Sequence, residues 1–462
     1  MKFEPQKITI EDSMDAIIDY RGKTPQKSSS GIPLITAKIV KNGTILPPTE
    51  FIPSDDYDNW MVRGLPEVGD VVLTTEAPLG EVAQLWDTKI ALAQRIVTLR
   101  GKSGLLHNDY LVYLLQSSTI QNQLNARSTG TTVKGIKQSE LRKIVLDIPS
   151  LDYQKWAAEC LQSLDRKIKN NNQINQTLEK MAQALFKSWF VDFEPVKAKI
   201  SVLEAGGSQE DATLSAMRVI SGKDADALVI FEREHLEQYT ELKATAELFP
   251  SAMQKSALGE IPKGWRLGVL SDIAIFANGK IDVSSLTPET YISTENMLEN
   301  RMGISSASSL PSANSVPSFR CGHVLISNIR PYFKKIWLSR FNGGRSADVL
   351  AFEPRDAVSV EYIYNLLYQD SFFDYMMLTS KGVKMPRGDK TAIMRWQCIF
   401  PEKEISDAFT NVVSKYYPYI ENNIKENKTL AKIRDTLLPQ FISGGIDITN
   451  AAIFPCRKTE EE

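Results

Sequence analysis

The chain has 462 residues, 42% of them hydrophobic, with 54 basic and 56 acidic side chains. That is enough for more than one buried core and is not the composition of a disordered protein. Cys160, Cys321, Cys398 and Cys456 lie far apart with no CxxC, and His107, His235 and His323 are equally scattered, which argues against a disulfide framework and a zinc site. No run reaches the ~20 apolar residues of a membrane span, and Met1 to Ile10 carries charge and proline rather than an apolar segment, so no membrane association and a cytoplasmic location are expected.

In chain order, Ile8 to Asp12 predicts a short strand and Tyr20-Arg-Gly-Lys-Thr-Pro25 a basic turn. Val68 to Thr75 is the first strong strand signal, rich in β-branched residues, and Glu76-Ala-Pro-Leu-Gly80 closes it. Glu81 to Trp86 and Ile96 to Leu99 predict further strands, and Tyr110 to Leu124 an amphipathic helix. The polar loop Arg127-Ser-Thr-Gly-Thr-Thr-Val-Lys-Gly-Ile-Lys137 then leads to Leu141 to Pro149, and Asp152 opens a long helix.

That helix carries a seam stepping alternately by four and three residues: Leu164, Ile168, Asn171, Asn175, Leu178, Ala182, Leu185 and Trp189. The seam returns 252 positions on as Tyr416, Ile420, Asn423, Asn427, Leu430, Arg434, Leu437 and Phe441. An amide in a helix seam lowers stability unless another amide faces it, so such residues fix register more than they add adhesion. The expectation is an antiparallel pair in which Asn171 meets Asn427 and Asn175 meets Asn423. The aromatic stripe Phe186, Trp189, Phe190 and Phe193 is expected in a core.

The repeat extends beyond the helices. Gly322 to Ser327 matches Gly69 to Thr74, Tyr362 to Leu367 matches Tyr110 to Leu115, and Gly382 and Pro401 fall on Gly130 and Pro149, so a whole unit is used twice. Between the copies, Val202 to Gly222 is rich in Ala, Ser and Gly, and Asp224 to Leu248 is acidic and helix-like, which suggests an elaborated linker. Pro418 stands where the first helix has Arg166, so the second helix starts or bends there. The predicted segments are 1–150, a globular domain; 151–195, a first spacer helix; 196–258, an acidic linker; 259–403, a second globular domain; 404–446, a second spacer helix; and 447–462, a tail.

Catalytic signals are missing. Gly130 to Lys137 fails as a phosphate loop, because Ile136 stands where Lys is needed and the loop follows a helix. No methyltransferase cofactor loop, nuclease carboxylate set or Ser/His/Asp arrangement is found, so no catalytic residue, metal site or cofactor is assigned. Binding is better supported. Residues 1–150 are near neutral, 196–260 acidic and 261–400 basic, which permits contact with a polyanion. The candidate DNA contacts are loop cations, Arg21, Lys23, Lys38, Lys41, Lys134 and Lys137 in the first copy and Arg330, Lys334, Lys335, Arg345, Lys384, Arg387 and Lys390 in the second. The loops Ser128 to Lys137 and Ser380 to Lys390, and the cluster Asn328, Arg330 and Tyr332, interleave hydroxyls, amides and cations as base edges and phosphates require.

Ala184-Leu-Phe-Lys-Ser-Trp-Phe-Val-Asp-Phe-Glu-Pro-Val-Lys-Ala198, Gly259-Glu-Ile-Pro-Lys-Gly-Trp265 and Thr436-Leu-Leu-Pro-Gln-Phe-Ile-Ser-Gly444 resemble segments of the specificity subunits of type I restriction-modification systems. The resemblance implies an α+β chain: two mixed α/β target recognition domains in tandem pseudo-repeat, separated by two long helices forming an antiparallel coiled coil. It also implies double-stranded DNA as ligand, each domain reading half of a bipartite site, with adenine methyltransferase (M) and ATP-dependent restriction (R) subunits as partners that carry the chemistry. The alternatives are a coiled-coil scaffold that binds protein without sequence-specific DNA affinity, and a fused nuclease-methyltransferase fragment.

Overall fold

The computed structural model describes residues 4–41, 43–130, 133–355 and 358–446. Thr131 and Thr132 of the first polar loop, and the whole 447–462 segment with Cys456, lie outside the described residues. Two compact units are present, one formed by residues 1–171 with 425–462, the other by 172–424.

In the first unit a four-stranded antiparallel sheet has the spatial order Met14–Asp19, Ile96–Gly101, Val71–Thr75, Leu79–Gln84. Every residue of Val71–Thr75 is buried. Both faces of the sheet are covered, which is why this strand reads as a continuous apolar run instead of alternating. Val71, Leu73, Val97 and Leu99 join a core with Tyr110, Leu111 and Leu114 of helix Asn108–Gln116. Val72, Ala83 and Ile96 join a second core with Ile32, Leu34 and Ile35. Each buried valine, leucine or isoleucine among them contributes about 1.5–3 kcal/mol by leaving water.

The amphipathic stretch Tyr110 to Leu124 is two helices, Asn108–Gln116 and Ser118–Arg127, not one. Ser117 separates them with extended backbone, and its hydroxyl accepts from the Ile120 N–H as an N-cap. A serine that can satisfy the backbone of the next turn competes with helix continuation.

The second unit has the same plan. Its sheet runs Ala274–Phe276, Val349–Pro354, Val324–Ser327, Ile336–Leu338, and helices Val360–Leu367 and Asp370–Leu378 follow as their counterparts do. The duplication is visible in the hydrogen-bond register. Ile96 pairs with Thr74 and Leu99 with Val71, while Val349 pairs with Ser327 and Phe352 with Val324, so each residue has its equivalent 253 positions on. The shift drops to 252 at strands Val145–Ile148 and Gln397–Phe400, which pair with Gln6–Thr9 and Arg266–Val269.

Each unit also holds one end of an antiparallel helix pair, drawn from Leu151–Phe190 and Tyr416–Ser443. In the first unit Tyr153 donates to the Phe441 carbonyl at 2.9 Å, Arg434 Nη1 to Asp165 Oδ1 at 2.9 Å, and Asn171 Nδ2 to Asn427 Oδ1 at 2.9 Å and Glu426 Oε2 at 2.7 Å. In the second unit Asn423 Nδ2 donates to Asn175 Oδ1 at 2.8 Å. Asn171 is buried to 1% exposure, so its amide needs those acceptors. The spacer segment 404–446 is not one helix. Lys403–Val413 ends before Tyr416–Ser443 begins, and Pro418 lies in the first turn of the latter, where a missing N–H costs nothing.

A polar clasp ties each globular part to its helix end. In the first unit Tyr113 donates to Asp165 Oδ2 at 2.6 Å; burial pushes the Tyr113 hydroxyl far above its ordinary pKa, and the Asp165 charge adds to this. In the second unit the equivalents 252 positions on, Asn365 and Tyr417, bond at 2.9 Å, and Gln183 donates to Asn365 Oδ1 at 2.6 Å. The same junction is charged in one copy and neutral in the other.

Where composition predicts a linker, the chain folds into four packed helices, Glu194–Glu204, Gln209–Ser221, Ala225–Glu234 and Leu236–Leu248. Ala216, Met217, Leu228 and Ala246 form their small core. Ser208 and Asp211 build a capping box that starts the second of these helices, a signal the Ala, Ser and Gly content obscures. Lys199 is buried, and its Nζ donates to the carbonyls of Ala246 at 3.1 Å and Phe249 at 2.6 Å. Phe186, Trp189, Phe190 and Phe193 are buried against Phe249, Trp265, Tyr362 and Phe409; the stripe is core.

Candidate nucleic-acid interface

The two polar loops dock on equivalent strand ends. In the first unit Thr129 and Gly135 exchange backbone hydrogen bonds at 2.8 and 2.9 Å, closing the loop on itself. Ile136 N–H then donates to the Thr75 carbonyl at 3.0 Å, and Glu76 bridges Gly135. In the second unit Lys381 and Arg387 close the loop, Ile329 bridges Arg387, and Arg330 N–H donates to the Pro386 carbonyl at 2.8 Å. Gly130 and Gly382 take the left-handed conformation at φ 107° and 94°, and a Cβ on Gly130 would lie 2.2 Å from the Val133 carbonyl oxygen. Only glycine makes that turn at no steric cost.

The strand ends are strained alike. Ala77 has φ 50° and Arg330, its equivalent, φ 49°. Neither is glycine and each precedes a proline, which disfavours helical backbone in the residue before it. Strain of this kind, about 1–3 kcal/mol per residue, persists where surrounding structure enforces it and gathers at functional sites.

The candidate cations fall into two groups. Lys23, Lys38, Lys41, Lys134, Lys137, Lys384 and Lys390 are exposed. Arg21 is half-buried beside the first loop, its Nη2 donating to the Ile136 carbonyl at 2.7 Å. The Arg330 Nε is buried without a hydrogen-bond partner among the described residues. Lys335 donates to the Thr294 carbonyl at 2.9 Å, and Tyr332 is exposed and packs on Phe333. Lys334 bonds Asp370 at 2.7 Å, and Arg387 bonds Asp348 at 2.7 Å, so part of their charge is neutralised internally. Asp370, hydrogen-bonded by Lys334 and Arg301, is held below the usual carboxylate range.

Two expected contacts are corrected. Arg345 is 7% exposed and directs its guanidinium inward, with Nη1 on the Val349 carbonyl at 2.6 Å, Nη2 on Ala277 at 2.7 Å and Nε on Ser318 at 3.3 Å. It ties three backbone segments together and cannot reach a ligand, because a buried cation needs those acceptors. Asn328 is 2% exposed. It donates to the Gly388 carbonyl at 3.1 Å and accepts the Gly388 N–H on its own carbonyl at 3.1 Å, so it holds the second loop in place instead of facing solvent.

Gln94 and Arg95 are missed from sequence. They line a groove of about 430 Å³ in the first unit, with Arg21, Thr75, Glu76, Thr129 and Lys137. They sit in a turn inside an apolar stretch, where only the repeat, which places Arg95 opposite Asp348, marks them. Among the described residues no group of three or more His, Cys, Asp or Glu could hold a metal ion, and no helix is long and apolar enough to cross a membrane.

Comparison with known proteins follows the same line. The profile of the type I restriction modification DNA specificity domain matches residues 20–180. The HindI specificity subunit of Haemophilus influenzae is 30% identical over 77% of this chain and 81% of its own length. The MjaIX specificity subunit of Methanocaldococcus jannaschii is 25% identical over 82% of this chain and 78% of its own. The crystal structure of a type-I restriction-modification system S subunit from M. genitalium aligns over 95% of this chain and 96% of its own, at 16% identity and TM-score 0.48. With a doubled α/β unit, an antiparallel helix pair and a relative this similar over most of both sequences, the chain belongs to the type I restriction enzyme specificity subunits.

Proposed function

We propose that each globular unit reads one half of a bipartite DNA site through its strand-end loop, residues 128–137 in the first and 380–390 in the second. The observation that carries this reading is that both copies hold the same loop on the same strained strand end by the same backbone bridges. Exposed Lys23, Lys38, Lys134, Lys137, Lys384 and Lys390 supply phosphate contacts, which position the protein without specifying sequence. Arg21, Arg330 and Arg387 stand at the loop bases, where base edges come within reach. The asparagine pairs keep the helices in register, a role that costs adhesion and secures alignment.

As a specificity subunit the chain is non-catalytic and works with adenine methyltransferase and ATP-dependent restriction subunits, in the cytoplasm where the DNA is. The helix pair sets the number of unread base pairs between the half-sites. Sequencing methylated genomic DNA from a host carrying the partner subunits, with and without this chain, tests the reading. A bipartite adenine-methylation motif is expected only with the chain; an assembled, active complex that leaves the same motif without it refutes the reading.

A further inference from the structure

The two strand-end sites share a backbone and differ in what they offer to a ligand. In the first unit Thr75 is the hub. Its N–H donates to the Arg95 carbonyl at 3.0 Å and its carbonyl accepts from Ile136 at 3.0 Å, so the 94–95 turn, the strand end and the polar loop lie side by side. Arg21 fixes the far side through the Ile136 carbonyl. The floor is therefore a set of backbone groups that satisfy one another, and such a floor holds the side chains above it with little freedom to shift. Among the described residues the Arg95 guanidinium, the Gln94 amide and the Glu76 carboxylate above that floor have no side-chain partner. Arg21, Arg95 and Lys137 against Glu76 leave the groove positive.

In the second unit the position of Arg95 is Asp348, which bonds Arg387 at 2.7 Å, and Lys381 bonds Asp389 at 2.7 Å. Ala347 replaces Gln94 and Ile329 replaces Glu76. There the same ground is occupied by internal ion pairs. A pocket of comparable size in that unit is bordered by Asp348 itself and is otherwise lined by Tyr291, Ser293, Glu295, Asn296 and Ser306, none of which corresponds to a groove residue of the first unit.

We propose that Gln94 and Arg95 read bases alongside the loop of the first unit, Arg95 placing its planar fork on a guanine edge and Gln94 its amide on a neighbouring adenine. The chemistry favours bases over phosphate. A fork and an amide side by side match the adjacent acceptor and donor-acceptor edges of the major groove, whereas a phosphate contact would be served equally by a lysine. The proposal rests on the reading that this unit binds one half-site, and it assigns the other half-site to a different set of side chains, so the two halves of the motif have unlike sequences.

The test uses the chain assembled with its methyltransferase subunits. The wild-type motif is read from methylated genomic DNA, and binding is measured on a duplex carrying it and on duplexes with one base pair changed at each specified position. Arg95→Lys keeps the charge and removes the fork. It is expected to lose about ten- to a hundredfold discrimination at one guanine of one half-site, and Gln94→Ala the same at an adenine beside it, with the other half-site unchanged. Retained discrimination at every position in both variants overturns the proposal. So does a loss equal on all duplexes, or a loss in both halves at once. If the wild-type complex shows no bipartite motif, the half-site reading itself fails, and the two failures are told apart by that control.

Discussion

Replacing Asp165 with alanine removes the acceptor shared by Tyr113 and Arg434 and tests how the first unit grips its helix end. Tyr113 is 4% exposed and donates to Asp165 at 2.6 Å, so the variant leaves a buried hydroxyl unpaired, at about 1–3 kcal/mol. The ion pair with Arg434 adds less, since the two side chains are 36% and 28% exposed and such pairs contribute about 0.5–1 kcal/mol. The expected loss is therefore about 1.5–4 kcal/mol, most of it through the tyrosine. Hydrogen exchange at Val71–Thr75 reports this unit alone, and at tenfold per 1.4 kcal/mol protection there should fall by about 10- to 700-fold. In a Tyr113→Phe background the cost of Asp165→Ala should shrink by about 1–2 kcal/mol, because the stranded hydroxyl is gone. Two effects that simply add, within about 0.5 kcal/mol, would refute the clasp.

Inserting four residues into both long helices, after Gln173 and after Ile424, keeps each asparagine with its own unit while adding about 6 Å of helix; genomic methylation should then show one or two more unspecified base pairs, and an unchanged gap would count against the spacer role. Arg345→Lys removes the fork that serves three carbonyls and should destabilise the second unit by about 2–4 kcal/mol with no change of motif; a changed motif in a stable variant would return Arg345 to the reading surface. Burial holds the His323 imidazole below its ordinary pKa, against the pull of Glu353 at 3.8 Å. Between the folded value and about 6.5 the unfolded chain binds more protons, so the second unit should gain stability as pH rises through that window and lose it as pH falls below 6.5. His323→Gln should flatten the dependence; a variant with the wild-type slope in urea midpoints between pH 5.5 and 7.5 would assign the effect elsewhere.

The helix pair and the doubled unit were legible because both rest on periodicity, which is local and repeats itself. A polar residue kept in register over 252 positions cannot be mistaken for packing, and Val71–Thr75 announces a covered strand by composition alone. What a side chain faces is set by segments far away in sequence. Arg345 reads as a loop cation until Ala277 and Ser318 are seen around it. Asn328 reads as a contact until Gly388 is found against it, where a Cβ would come within 2.6 Å of its Oδ1. Gln94 and Arg95 were hidden for the opposite reason: a turn set between Ala91–Leu92 and Ile96–Gly101 looks like strand. Of the four-helix insertion, Asp224 to Leu248 was legible as helix, whereas the two helices before it were missed because glycines and serines at their joints diluted the helical pattern.

Lys199 carries a consequence for how such a chain can vary. By bonding the carbonyls of Ala246 and Phe249, it stitches the start of the insertion to its finish, so the excursion departs from and returns to nearly one point. Growth or trimming beyond such a stitch costs the host fold little, since closing a longer loop adds only about 0.6 kcal/mol per doubling. A length change or a grafted domain beyond this stitch is therefore expected to leave the rest of the second unit undisturbed.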